Sequence, residues 1–310
     1  MQVKMYISFV VLFALALASS SSSKKQYRTD YVYNSKTDAF YKLHIETVWN
    51  NRAQFICQTE GASLMIPASQ QDIMQLHAMI KEFPDIGDYV WVGNDGLDHE
   101  PAEEQPIINL EAPTDITLSK KYDCEVLTRW GDVDTHTCYS LLPFICKVKA
   151  VNARYDSKCD VYGDGYLYYE SVGSCYKISR VAFTWSQAYE ECRAEGSHLI
   201  VLNSMTEEQL IYNILKTAPR VTGTNAAWFF FAGFRAHKTT DGTPRVFKTI
   251  FNQTLEEAGF NQWSVNEPNN AFGNEYCGTI FKNDGKYNDV NCSHQYSFIC
   301  EKEVKKVRAQ

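Results

Sequence analysis

Between Asn266 and Cys277 the sequence reads NEPNNAFGNEYC, and a little further on it reads YNDVNC. Glu267, Asn269, Asn270 and Glu275 crowd carboxylate and amide oxygens around one proline, and Asn288 and Asp289 form a second cluster ahead of Cys292. A hard divalent cation such as Ca²⁺ takes six to eight ligands of this kind. Carboxylates only accept hydrogen bonds, whereas amides also donate, so such a set can serve hydroxyl groups as well as a metal. Taken alone, the first cluster also reads as a polar, solvated loop.

Other chemistry is poorly supplied. The stretch DVYGDGYLYYE from Asp160 hints at a calcium loop of the helix–loop–helix kind, but Tyr162 and Tyr168 stand where ligands are needed. His99-Glu100 lacks the second histidine of a zinc-protease helix, and the remaining histidines show no metal-ligand spacing. No G-x-S-x-G context marks a nucleophilic serine. None of the ten cysteines forms a C-x-x-C pair, and paired cysteines leave no thiolate for catalysis. No enzyme is expected. The net charge of −7 gives no electrostatic case for nucleic acid or an anionic membrane.

The elements that must position these oxygens come in two copies. YKLHIETVWNNRAQFICQTEGASLMIPAS starts at Tyr41, and YKISRVAFTWSQAYEECRAEGSHLIVLNS starts at Tyr176. Each places a cysteine at the end of an apolar helical pattern and follows it with Glu-Gly. The ends match as well, CYSLLPFICK against CSHQYSFICE. The units are residues 27–147 and 155–302, joined by a polar link. The second unit has an additional pair, Cys159 and Cys175. It also has a longer Gly-, Thr- and Asn-rich stretch after Gly233, read as loop and not core. YLYYESVGSCYKI reads as a hairpin. TWSQAYEEC puts Trp185, Ala188 and Cys192 on one helical face, and Ser204 with Glu207 opens a second helix running to about Leu215. WFFFAGF, GTIF and SFIC read as strands. Ahead of the repeats, residues 1–18 combine a basic start, a short apolar run and an A-x-A site at Ala16–Ala18, the pattern of a secretory signal peptide. No later run is apolar enough to anchor the chain in a membrane, and abundant cysteine fits an oxidising compartment.

These residues resemble the C-type lectin-like domain, twice over. The family's helix carries W…A…C, here Trp185, Ala188 and Cys192. Its central strand reads like WIGL, here FAGF ending at Phe234 and VWVG at 90–93. Its last strand ends F-I-C, here Phe298–Cys300 and Phe144–Cys146. The tandem arrangement is similar to the insect (lepidopteran) immulectins. The resemblance implies an α+β fold: two disulfide-stapled domains, each with two helices flanking short antiparallel sheets and a long loop region. It implies the pairs Cys57–Cys146, Cys124–Cys138, Cys159–Cys175, Cys192–Cys300 and Cys277–Cys292. It also implies that Glu267, Asn269, Glu275, Asn288 and Asp289, with the Asp289 carbonyl, hold one Ca²⁺ and present it to two vicinal sugar hydroxyls. A cis bond before Pro268 is implied too. Glu-Pro-Asn implies mannose-type sugars, where Gln-Pro-Asp implies galactose. Tyr287 replaces the family's usual Trp, a change expected to alter core packing and not ligation. The family's accessory calcium positions fall on Ala236 and Tyr276, so one calcium site is expected, and Asn270, which belongs to the accessory set, is left out.

In the first unit, Tyr122, Asp134 and Thr135 stand where Glu275, Asn288 and Asp289 stand in the second, and EAPTDI contains no Glu-Pro-Asn. That unit is expected to keep the fold and lose this site, its acidic loop Asp95–Glu104 being solvated surface. Asn252-Gln-Thr is a glycosylation sequon. Asn291-Cys-Ser is a poor one. The expected function is a secreted, calcium-dependent lectin of innate immunity (in haemolymph, for an insect). It would bind mannose-type glycans on microbial polysaccharide or lipopolysaccharide, with immune proteins as further partners. The rival is a protein-binding module of the same fold without sugar binding. The second unit's full ligand set argues against it.

Overall fold

The computed structural model describes residues 25–93, 123–237 and 244–304. The leader at 1–18, the acidic loop Asp95–Glu104, EAPTDI and Tyr122 lie outside them. In the first domain, β1 (Val32–Asn34) and β2 (Ala39–Val48) lead into helix α1 (Asn50–Thr59), β3 (Ser63–Leu64) and helix α2 (Gln70–Lys81). Then come β4 (Tyr89–Trp91), β5 (Asp123–Thr128), β6 (Val133–Thr137) and β7 (Leu142–Lys149). The sheet order is β1-β2-β7-β4-β5-β6, with β3 on β7.

A small hairpin, β8 (Tyr155–Asp156) and β9 (Val161–Tyr162), opens the second domain. It continues through β10 (Leu167–Tyr169), β11 (Ser174–Ile178), helix α3 (Trp185–Ala194), β12 (His198–Leu199), helix α4 (Met205–Lys216) and β13 (Phe229–Ala236). The chain ends through β14 (Phe247–Thr249), helix α5 (Leu255–Ala258), β15 (Cys277–Phe281), β16 (Tyr287–Val290) and β17 (Ser297–Glu303). The order β10-β11-β17-β13-β15-β16 repeats that of the first sheet, with β12 on β17 and β14 on β13.

Local sequence explains the helices. Thr184 caps α3 through a capping box with Gln187, satisfying donors that the first turn leaves unpaired. Ser204 accepts from the Glu207 N–H at the start of α4. The Glu207 carboxylate does not return to Ser204, however; it accepts from Asn203 N and from Tyr176. Trp185, Ala188 and Cys192 are buried on one face of α3, and the Trp185 indole donates to Ala232 O on β13 at 2.9 Å. The repeated Glu-Gly closes both cysteine helices. Gly61 (φ +76°) and Gly196 (φ +89°) adopt the left-handed conformation that only glycine accepts cheaply. Five disulfides join Cys57–Cys146, Cys124–Cys138, Cys159–Cys175, Cys192–Cys300 and Cys277–Cys292.

One expectation is corrected. The insertion after Gly233 is not loop alone: β14 pairs with β13, and α5 follows it. Phe247, Leu255 and Phe260 are buried in the second domain's core beside Phe234 and Tyr287. The Gly-, Thr- and Asn-rich composition concealed single large apolar residues placed far apart.

The two domains share a buried joint. Arg28, with its side chain fully buried, donates to Glu191 (2.8 and 2.7 Å), Glu195 (3.0 Å) and Asp30 (2.9 and 3.1 Å), and its guanidinium lies 3.5 Å from Glu60. Glu60 and Glu195 are the repeat-equivalent residues of the two Glu-Gly corners. Each also holds its own repeat-equivalent lysine, Lys42 and Lys177. Burial works against the charge of Glu60, yet Lys42, His44 and Arg28 keep its carboxyl well below the usual range. Tyr27 packs edge-on against Tyr162 across the same joint.

Candidate calcium and sugar site

The site is built on the β15–β16 hairpin. Register pairs Cys277 with Val290, Gly278 with Asp289 and Thr279 with Asn288, and the Cys277–Cys292 disulfide closes the open end. Gly278 has to be glycine, since a Cβ there would lie 2.1 Å from the Phe234 ring. On the far edge of β16, Tyr287 N donates to Gln262 O and Ser264 N to Tyr287 O. This lays the loop 266–276 across Asp289.

The structure brings all five sequence-predicted residues together. Glu267, Asn269, Glu275, Asn288 and Asp289 line one hollow of about 410 Å³. The Glu267–Pro268 bond is cis. Asn269 Nδ2 donates to Glu267 Oε1 at 2.8 Å, so the donor and acceptor of the Glu-Pro-Asn triplet already face each other. Asp289 Oδ1 accepts from Asn269 N (3.0 Å) and Oδ2 from Asn270 N (3.1 Å). Glu275 Oε2 accepts from Ala271 N (2.7 Å). The Asp289 carbonyl accepts from Asn288 Nδ2 at 2.6 Å, so an ion that takes this carbonyl displaces that bond. In the first domain, Asp134 and Thr135 are exposed on β6, whereas Asn288 and Asp289 are buried on β16.

Three carboxylates share this hollow, and two of them resist ionising. Burial, then the adjacent Asp289 carboxyl, pushes Glu267 up to about 7. Burial and Asp289 likewise raise Glu275. Crowded carboxylates that resist ionising are a donor set that a hard cation stabilises, so the residues present fit Ca²⁺.

Two features escaped sequence reasoning, Arg245 and Phe272, whereas the core position of Tyr287 was expected. Arg245 occupies the far side of Asp289, Nη1 donating to Asp289 Oδ2 at 2.5 Å and also to the Glu275 carbonyl. Its guanidinium lies over the Phe247 and Tyr276 rings. It is not among the residues lining the hollow. Phe272, fully exposed at φ +57°, stands at the rim; an aromatic in an otherwise polar loop was the available signal. Tyr287 is completely buried among Phe234, Phe260 and Trp263, and the Leu202 backbone approaches its hydroxyl without reaching full hydrogen-bond geometry.

Tight carboxylate groupings also occur elsewhere among the described residues. Asp30, Glu60 and Glu191 converge at the joint, but Arg28 and Lys42 already neutralise them. His44 and Glu60 approach Cys146, whose sulfur is committed to a disulfide. No described helix is long and apolar enough to cross a membrane.

Comparison with known proteins agrees with this architecture. The family model of the Lectin C-type domain matches residues 46–148 and 181–302. The hemolymph lipopolysaccharide-binding protein of Periplaneta americana is 33% identical over 130 residues, 42% of this chain and 49% of that protein. The C-type lectin domain family 10 member A of Rattus norvegicus is 25% identical over 254 residues, 79% of this chain and 72% of that protein. The chain therefore spans about half the length of the first relative. Among solved structures, the mouse scavenger receptor C-type lectin carbohydrate-recognition domain is 22% identical, covering 46% of this chain and 96% of that one, with a TM-score of 0.36.

Proposed function

Because the chain belongs to the C-type lectin domain family, carrying two copies of the domain, we propose that its second domain binds mannose-type sugars through one Ca²⁺ held by Glu267, Asn269, Glu275, Asn288 and Asp289. The chain is a binding protein and not an enzyme. The observation that carries the reading is the convergence of these five side chains on one hollow, with Glu267 and Asn269 already paired as acceptor and donor. When bound, the ion would supply open coordination positions for two vicinal hydroxyls. The protein's part is to set direction: Glu267 accepts from one hydroxyl and Asn269 donates to another, so hydroxyls of the right geometry are ranked above others. Phe272 at the rim offers an apolar face to a sugar ring.

A single metal suffices in this reading because Arg245 is a resident cation. Its guanidinium neutralises Asp289 Oδ2 from the side facing Tyr276, where a second ion would otherwise be needed to balance the carboxylates. The signal-peptide pattern and the likeness to a hemolymph protein support secretion and a role at microbial surfaces, with polysaccharide or lipopolysaccharide as the target. Ca²⁺-dependent retention on immobilised mannan, released by EDTA, tests the proposal; retention indifferent to EDTA overturns it. Exchanging Glu267→Gln together with Asn269→Asp is expected to move preference toward galactose, and an unchanged preference would show that this pair does not set selectivity.

A further inference from the structure

A second hollow of about 410 Å³ lies in the same domain and shares no lining residue with the first. Its floor is the half-buried Tyr189 of α3, stacked on the buried Trp185 with ring centroids 5.4 Å apart, and Arg235 and Arg193 lie over the Trp185 and Tyr189 rings. Its wall comes from β13 and β14, where Arg235 and Lys248 stand directly opposite each other in the antiparallel register. Like charges in that relation repel and destabilise a strand pair. Arg235 lies over the Trp185 ring at 5.0 Å, Lys248 donates to the amide oxygen of the sequon residue Asn252 at 3.3 Å and lies within electrostatic reach of the exposed Glu257, and neither cation is in ion-pair contact with a carboxylate among the described residues. His237 adds a third nitrogen base to the lining. The one acid there, Glu190, is exposed and turned to Arg193 at 3.5 Å.

A repelling cation pair at the mouth of a hollow edged by aromatic rings is completed by an anion. We infer that this hollow is a calcium-independent subsite for an acidic saccharide, its phosphate or carboxylate held between Arg235 and Lys248 and its ring at the edge of Tyr189. A guanidinium offers paired donors to such a group and an ammonium offers a mobile third. Because Ca²⁺ plays no part, the inference stands or falls separately from the mannose site.

The test uses the full-length protein carrying no glycan at Asn252, in EDTA, which silences the metal site, and follows the Tyr189 ring and the Trp185 indole N–H by NMR. The probes are mannose 6-phosphate, glucuronate and neutral methyl α-mannoside. The expected result is a saturable shift with one or both anionic sugars and none with the neutral one. A response to the phosphate alone, or to the carboxylate alone, assigns the anion class. The R235Q/K248Q variant is expected to weaken that binding at least tenfold. K248Q alone should leave the ligand-free protein as stable or more stable, because it relieves the repulsion. No shift with either anion, an equal shift with the neutral sugar, undiminished binding in the double variant, or a lower melting temperature for K248Q would each overturn the inference.

Discussion

At the scale of single residues, the site is a balance of charge. Glu267 ionises only near pH 7 in the metal-free protein, against an ordinary value of 4.5. Between those values the folded chain holds a proton that the unfolded chain has released. This contribution to stability is therefore present in acid and is lost as pH rises through about 7. Calcium reverses the sign, because it binds the ionised form. Melting curves in EDTA and in Ca²⁺ should accordingly diverge as pH rises from about 4.5 to 7, and sugar retention should weaken as pH falls through the same window. Parallel curves would count against carboxylate ligation. Arg245→Met removes the resident cation from a buried aspartate, and breaking such a pair costs about 3–5 kcal/mol when the partner stays charged. Calcium should recover more of the melting temperature in this variant than in the wild type. Tyr287→Phe deletes a buried hydroxyl that the Leu202 backbone approaches without a full hydrogen bond, so denaturant titration should find a change of no more than about 1 kcal/mol.

At the scale of elements, the caps and the hairpin decide how firmly the site is held. Ser204→Ala removes the acceptor for Glu207 N and should cost about 1 kcal/mol of unfolding free energy without changing sugar preference, since α4 contributes no residue to the hollow. This is also the scale at which sequence reading succeeds and fails for physical reasons. The helices at Trp185 and Met205 were legible because their apolar residues recur at helical spacing behind a cap. The strands around Phe231 and Phe298 were legible because each is a short continuous apolar run. The insertion was misread because Phe247, Leu255 and Phe260 enter the core one at a time, with no period to betray them. Arg245 was invisible for a related reason. A guanidinium that folds back onto Asp289 from another loop leaves no spacing in the sequence, whereas Glu267, Asn269 and Glu275 sit within one short stretch.

At the scale of the whole molecule, the joint around Arg28 ties the two domains together through buried ion pairs. Its removal would leave Glu191 without its partner inside the protein and Glu60 and Glu195 with only Lys42 and Lys177. Arg28→Met should therefore cost several kcal/mol and split a single calorimetric transition into two, while calcium-dependent sugar binding persists. One unsplit transition at the wild-type temperature would show that the joint carries no load. Monosaccharide contacts are few, and an affinity on the order of mM corresponds to only about 4 kcal/mol. Useful binding then calls for repeated ligands or linked sites.

The same joint has a consequence best put in the language of symmetry. The two copies meet through equivalent residues, Lys42 with Glu60 on one side and Lys177 with Glu195 on the other. Arg28, present once, lies between them. Two like faces that close on each other form a completed pair, and a completed pair has no matching face left to offer a neighbour. Chains of this protein that gather on a repeated glycan must therefore gather through some other surface, or through the glycan itself.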